Sequence, residues 1–189
     1  MLDNYFNKLN EFSLVSQTEK EELIKYISVK KIPKGNYILN SGEVCDHIYF
    51  LNEGFARQYY YKENKEITEW FAGKYEFCFS IESYFNNVPS KLLIETIEDS
   101  EIIYLHKDGL LGLSKTNLKI GQLAIRMFAR SLVFSQQRMD SIVFQSAKKR
   151  YVNLLERQPE IVQKVPLSYI ASFLGITQET LSRIRAKLD

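Results

Sequence analysis

The stretch IASFLGITQETLSRIR at residues 170–185 constrains the structure more than any other part of the chain. Gly175 interrupts two helical patterns and permits the positive φ angle that a tight turn between two helices needs. Ala171 is small enough for a second helix to cross closely over the first, and Leu181 lies on the inner face of that second helix. The spacing therefore predicts a helix-turn-helix whose second helix is capped by Thr177.

The outer face of that second helix is polar. A glutamate can accept a hydrogen bond from cytosine and an arginine can pair with both acceptors of guanine. Threonine hydroxyls at a helix N-terminus suit phosphate contacts. A helical hairpin that binds nothing has no need of these side chains, so we expect a surface that reads the major groove of DNA, formed by Thr177, Gln178, Glu179, Thr180, Ser182, Arg183 and Lys187.

Charge is unevenly distributed along the 189 residues, although the net charge is only +2. Residues 1–110 carry 12 Lys and Arg against 18 Asp and Glu, whereas residues 111–189 carry 13 against 5. This asymmetry indicates an anionic partner for the second part. A solvated basic helix face explains it equally well, and the same two interpretations apply to the cluster Lys148, Lys149 and Arg150.

The hydrophobic period changes twice along the chain. Ser16 and Glu19 fit a capping box at the start of an early helix. From about residue 32 to 104, short β-branched and aromatic runs separated by turns indicate antiparallel strands, and residues 59–68 read as a β-hairpin. From about residue 116 to 144, apolar residues recur every three or four positions, which predicts one helix about 40 Å long.

That long helix carries a heptad seam that favours a parallel dimer. The expected seam residues are Leu118, Ile125, Phe128, Leu132, Met139 and Ile142. We therefore predict an α+β protein with an N-terminal antiparallel, jelly-roll-like β-roll and flanking helices, a long dimerisation helix and an all-α helix-turn-helix. The expected domain limits are 1–115, 116–145 and 146–189, without a C-terminal wing.

Several classes of protein do not fit the sequence. No apolar run is long enough to span a membrane and no secretory signal is visible, so we expect a cytoplasmic protein. Two cysteines are too few for an iron–sulfur cluster or a four-thiolate metal site. A cupin-like metal enzyme needs clustered histidines, whereas His47 and His106 are 59 positions apart. No catalytic residue, metal ligand or cofactor is therefore expected.

The order of these parts resembles the Crp/Fnr family of bacterial transcription regulators, in the short form found in Bacteroidetes. The matching residues of the roll include the turns at 34–35, 41–43 and 52–54, and Glu179, Ser182 and Arg183 match the recognition pattern of the Fnr branch. The resemblance implies base reading by these three residues, palindromic double-stranded DNA with TTGA-like half-sites, a homodimer, and contact with RNA polymerase.

The chain departs from the family where cyclic AMP binds. Phe79 and Ser80 stand in place of a Gly-Glu pair, and Ser90 and Lys91 lie near the place of an Arg-Ser pair that holds the cyclic phosphate. Binding of cyclic AMP is therefore not expected. Another small effector in the roll is left open, with Phe79, Ser80, Ser90, Lys91, Ser135 and Gln136 as candidate pocket residues; for the last two, a polar interruption of the seam is the alternative.

A second function is compatible with the same pattern. The chain stops directly after the last predicted helix, where many family members continue into a wing that contacts the DNA backbone. The alternative is therefore a small-molecule sensor or protein-interaction regulator that no longer binds DNA.

Overall fold

The structure is a computed structural model that describes residues 2–188. Within these residues the chain forms eight α-helices and eight β-strands, with a short π-helical turn at Asp108–Gly112 and a 3₁₀ turn at Leu113–Lys115. The helices are α1 Asp3–Asn10, α2 Gln17–Ile24, α3 Ile81–Asn86, α4 Leu118–Phe144, α5 Ala147–Arg157, α6 Ile161–Lys164, α7 Leu167–Leu174 and α8 Gln178–Arg185. The strands are β1 Ile27–Ile32, β2 Tyr37–Leu39, β3 His47–Glu53, β4 Ala56–Lys62, β5 Lys65–Ala72, β6 Phe77–Cys78, β7 Leu93–Thr96 and β8 Ser100–His106.

The strands form two four-stranded sheets, in the orders β1-β8-β3-β6 and β2-β7-β4-β5. In the first sheet β8 pairs antiparallel with both β1 and β3, and Ile103 lies opposite Val29 and Phe50. The central strands are apolar on both faces, and Phe50, Ile102 and Ile103 are completely buried. The core of the roll is therefore built on β3 and β8, where helix α1 adds the buried side chain of Tyr5.

Local sequence signals explain how several elements begin and turn. Ser16 accepts a hydrogen bond from the Glu19 amide while Glu19 accepts one from the Ser16 amide, as the predicted capping box requires. Strands β4 and β5 are joined at Glu63 and Asn64, both of which have positive φ angles, as a two-residue hairpin turn demands. The hairpin predicted for residues 59–68 is thus present.

Helix α4 is 27 residues long and has two apolar faces. Ile120, Leu123, Ala124 and Met127 are buried, whereas Leu118, Ile125, Leu132 and Met139 recur every seven residues and are more than half exposed. The antiparallel sheets and the single long helix confirm the predicted mixed α and β architecture. The assignment of the C-terminal helices to a DNA-binding domain stays a prediction.

Packing divides the chain into two compact units. One comprises the residues up to Gln58 together with Phe71–Ser131, and the other comprises Tyr59–Trp70 together with the residues from Leu132 onward. The tip of the β4–β5 hairpin therefore packs with the C-terminal helices, and α4 contributes to both units. The domain limits at residues 115 and 145 were inferred from the sequence pattern, and they stay a prediction.

Candidate nucleic-acid interface and sensor interior

Helices α7 and α8 are joined by a three-residue turn that begins at Gly175. Gly175 has φ +66°, the left-handed conformation that glycine adopts at little cost. The Ile176 amide donates to the Ala171 carbonyl at 3.0 Å and the Gly175 amide donates to the Ser172 carbonyl at 3.0 Å. These bonds close the end of α7, and Ala171 and Leu181 are buried, as the sequence predicts.

Two arginines complete the C-terminus of α7, where a helix leaves four backbone carbonyls without an internal partner. Arg138 of α4 donates through Nη2 to the Phe173 carbonyl at 2.8 Å. Arg150 of α5 donates through Nε and Nη2 to the Leu174 carbonyl, at 3.0 and 2.8 Å. All four terminal carbonyls are thus satisfied, and both guanidinium charges lie at the negative end of the helix dipole.

The start of α8 is fixed by its cap. The Thr177 hydroxyl accepts a hydrogen bond from the Thr180 amide at 3.2 Å and lies 3.1 Å from the Thr180 hydroxyl. Hydrogen bonds from its own backbone amide and from Thr177 hold the pKa of the exposed Glu179 carboxyl below its usual range, so this group is ionised at neutral pH. Arg183 lies one turn later, with its Nε 3.4 Å from the Glu179 carbonyl oxygen.

The structure brings the predicted DNA-reading residues onto one exposed surface. Gln178, Glu179, Ser182 and Arg183 are exposed on the outer face of α8, and Thr177 is exposed at its cap. Thr180 is half-buried, and Lys187 is exposed two residues beyond the end of the helix. The surface offers both a carboxylate and a guanidinium, the two groups that distinguish cytosine and guanine by their edges.

The residues predicted for the effector pocket are not all brought together. The Ser80 and Ser90 hydroxyls lie 2.9 Å apart, and both residues are buried. Ser90 also accepts a hydrogen bond from the Leu92 amide at 3.0 Å. Lys91, by contrast, projects outward with its side chain 80% exposed, and its Nζ lies 3.4 Å from Glu82. The positive charge in this stretch is therefore outside the buried serine pair.

Phe79, which precedes Ser80 in the chain, packs among aromatic rings. Its ring is 8% exposed, and its centre lies 5.2 Å from the Tyr84 ring and 6.1 Å from the Phe128 ring. Phe128 also lies 4.8 Å from Phe85, so this seam residue of α4 turns partly toward its own roll. Ser135 and Gln136 are exposed on α4, and Gln136 donates to Asp140 at 2.9 Å.

Two features of the roll were not anticipated from the sequence. Arg57 of β4 is buried, and its guanidinium meets Glu95 of β7 at 2.8 Å. His47 and His106 lie directly opposite each other on β3 and β8, with ring centres 5.1 Å apart. Among the described residues, no group of three or more His, Cys, Asp or Glu is arranged to hold a metal ion.

Cys45 and Cys78 are buried free thiols, and burial raises the pKa of each. Both are therefore protonated at neutral pH and lack the thiolate that redox chemistry requires. The helices in residues 2–188 include none with the length and apolarity to cross a bilayer.

Comparison with known families gives a match within the roll. Residues 29–117 match the family described as the cyclic nucleotide-binding domain. None of the curated protein sequences compared with the chain resembles it significantly.

Solved structures extend the likeness beyond this domain. FixK2 from Bradyrhizobium japonicum is 18% identical with a TM-score of 0.73, and the alignment covers 86% of this chain and 84% of that one. A candidate transcriptional regulator of the crp/fnr family from Eubacterium rectale is 20% identical with a TM-score of 0.73, covering 96% and 86%. The c-di-GMP responsive global regulator CLP from Xanthomonas campestris is 15% identical with a TM-score of 0.66, covering 92% and 91%. The expected resemblance to Crp/Fnr regulators is confirmed at the level of fold.

The interior of the roll does not offer the groups that a cyclic nucleotide needs. A cyclic phosphate needs a forked, charge-assisted donor inside the roll. Lys91 is exposed and paired with Glu82, and the buried guanidinium of Arg57 is paired with Glu95. A ribose diol needs a carboxylate, whereas Ser80 contributes a hydroxyl that is bonded to Ser90. The buried ring of Phe79 occupies the position where a glycine would allow close approach.

Proposed function

We propose that this protein is a non-enzymatic, sequence-specific DNA-binding regulator of transcription of the Crp/Fnr type. The observation that carries the proposal is the exposed surface of α8, where Glu179, Ser182 and Arg183 share one face. Arg138 and Arg150 bind the last carbonyls of α7, and the left-handed Gly175 forms the turn that follows. Together they fix the direction in which α8 projects. This rigidity suits a helix that must present side chains to base edges.

The proposed active form is a homodimer joined through α4. The exposed residues of the seam are Leu118, Ile125, Leu132, Met139 and Ile142, and Leu132 alone is 70% exposed. A second copy of the same helix, with the same period, would cover this stripe. Two α8 helices related by a two-fold axis would then read two half-sites about one helical turn apart.

The proposed target is a palindrome of TTGA-like half-sites, and the regulator would act through RNA polymerase bound nearby. Within this proposal the roll responds to a ligand other than cyclic AMP, or serves as a scaffold, because its interior is occupied by Phe79 and the bonded serine pair.

A mobility-shift titration tests the DNA-reading surface. Wild type, Arg183→Ala and Arg157→Ala are compared on the palindrome and on a scrambled duplex; Arg157 is an exposed arginine of α5, so its removal matches the charge change. Loss of a base contact costs about 1–3 kcal/mol, so Arg183→Ala should bind the palindrome about 5–150-fold more weakly and discriminate less between the duplexes. Arg157→Ala should keep the discrimination.

Equal binding by wild type and Arg183→Ala would show that the assigned base contact is wrong. Equal affinity of wild type for the two duplexes at several salt concentrations would refute sequence-specific reading altogether.

A further inference from the structure

The outer edge of strand β5 is covered by a helix side chain. In its sheet β5 is an end strand, paired with β4 on one side only, so the backbone groups on its other edge need partners from elsewhere. The Thr68 amide donates to the Ser172 hydroxyl at 2.9 Å, and the same hydroxyl donates to the Glu66 carbonyl at 2.8 Å. Ser172 of α7 therefore takes the place that a neighbouring strand would have.

The chemistry of this contact is specific to a hydroxyl. A short side chain that donates one hydrogen bond and accepts another at the same atom must be serine or threonine. Thr68 is completely buried, so its amide has no access to solvent as a substitute partner. Removal of the Ser172 hydroxyl would leave a buried donor and an acceptor unsatisfied.

Helix α4 strengthens the same junction. Arg138 donates through Nη2 to the Phe173 carbonyl at 2.8 Å and approaches the Thr68 carbonyl at 3.4 Å, and its guanidinium lies 3.9 Å from the centre of the Phe173 ring. Burial lowers the pKa of Arg138 to about 10, so it remains charged at neutral pH. Trp70 of β5 stacks on Phe134 of α4, with ring centres 6.3 Å apart.

The hairpin tip is also covalently continuous with the other packing unit. The chain passes between the units at Gln58–Tyr59, at Trp70–Phe71 and at Ser131–Leu132. Two of these three passages are strands of the hairpin, and the third is the middle of α4. Both strands of the hairpin therefore continue from the roll into the unit that contains Ser172.

We propose that the hairpin tip, residues 59–70, holds α7 in the orientation that presents α8 to DNA, with Ser172 as the positioning residue; the inference rests on the proposed DNA-reading function. The docked tip contacts α7 and leaves Glu179, Ser182 and Arg183 of α8 exposed. The docked arrangement is thus the binding-competent one, and release of the tip weakens recognition.

Amide hydrogen exchange measures the contact without DNA. The full-length protein is compared with Ser172→Ala, Ser172→Thr and Ser168→Ala, where Ser168 is an exposed serine of the same helix. One hydrogen bond of ordinary strength corresponds to a factor of about 5 in an equilibrium constant, so Ser172→Ala should accelerate exchange at Thr68 at least about 5-fold. Ser172→Thr retains the hydroxyl and should restore protection, and Ser168→Ala should leave Thr68 unchanged.

Affinity for the palindrome then measures the consequence for DNA reading. Ser172→Ala should bind about 10-fold more weakly than wild type with unchanged helix content by circular dichroism, and Ser172→Thr should recover most of the affinity. The proposal is overturned if Thr68 exchange does not respond to Ser172→Ala, or if exchange responds while affinity does not. If the wild type binds no DNA but Thr68 exchange still depends on the Ser172 hydroxyl, the DNA-reading function is refuted. The contact between the hairpin and Ser172 is then still supported.

Discussion

Replacement of Arg150 by methionine should destabilise the unit that contains α7 and α8. Methionine keeps much of the apolar side chain and removes the guanidinium, which donates to the Leu174 carbonyl at 3.0 and 2.8 Å and to the Gln145 carbonyl at 2.5 Å. Arg150 therefore links the end of α4, the start of α5 and the end of α7. In the sequence it is one of three consecutive basic residues, whereas in the structure its guanidinium binds backbone carbonyls within the protein.

The size of the effect follows from these contacts. A hydrogen bond to a charged group contributes about 1.5–3 kcal/mol, and a cation at a helix C-terminus adds about 0.3–1 kcal/mol. Because Arg150 is half-buried, water can replace part of what is lost. We therefore expect Arg150→Met to lower the free energy of unfolding by about 2–3 kcal/mol.

Urea unfolding followed by tryptophan fluorescence suits this measurement. The chain has a single tryptophan, Trp70, and it lies in the same packing unit as Arg150, so its emission reports on that unit. Lys149→Met is the matched control, because Lys149 is exposed and its replacement should change stability by less than about 0.5 kcal/mol. If the two variants unfold at the same urea concentration, the carbonyl contacts of Arg150 contribute nothing and the reasoning fails.

Three further outcomes are expected. Gly54→Ala should cost at least about 3 kcal/mol by thermal unfolding, because Gly54 has φ +100° and a Cβ would lie 2.7 Å from the backbone Cα of Ser100. Burial lowers the pKa of His47, so the unfolded chain binds a proton at this residue at a higher pH than the folded chain does. The stability that neutral His47 contributes is therefore present above about pH 6.5 and is lost as the pH falls. Thermal unfolding at pH 7 and pH 5.5 measures this loss. Leu132→Glu should convert the proposed dimer into monomers in sedimentation equilibrium, because Leu132 lies in the exposed seam.

Each of these has a control that the chain itself supplies. Gly42→Ala places a methyl group where nothing lies within 4 Å, so it should cost much less than Gly54→Ala. The acid dependence should shrink in His47→Gln, and a dependence that is unchanged in this variant would assign it to other groups. Gln137→Glu adds the same charge at an exposed position of α4, and equal dissociation of both variants would show that charge, not the seam, controls assembly.

The sequence was sufficient for features that depend on local rules. The capping box at Ser16, the hairpin turn at Glu63–Asn64 and the glycine turn at Gly175 follow from hydrogen-bonding geometry and backbone conformation within a few residues. The seven-residue period of α4 likewise predicted an exposed stripe. The exposed face of α8 could be placed because helical periodicity fixes which residues share a face.

Contacts between distant residues could not be predicted. Nothing in the sequence near Arg57 indicates that Glu95 lies against it, and nothing near Ser172 indicates a strand edge. The heptad pattern placed Phe128 in the dimer seam and could not show which residues of its own chain it contacts; its ring lies 4.8 Å from that of Phe85. Lys91 was expected in the pocket because of its position in the sequence, and its exposed pairing with Glu82 depends on how α3 turns.

The covered edge of β5 also affects how the protein can be divided experimentally. A fragment that ends after α4 would retain the hairpin and lose Ser172, so the Glu66 carbonyl and Thr68 amide would face solvent on an end strand. Unpaired strand edges associate with one another, and such a fragment would tend to form edge-to-edge aggregates. The solubility of a shortened sensor fragment would then reflect the missing helix more than the stability of the roll.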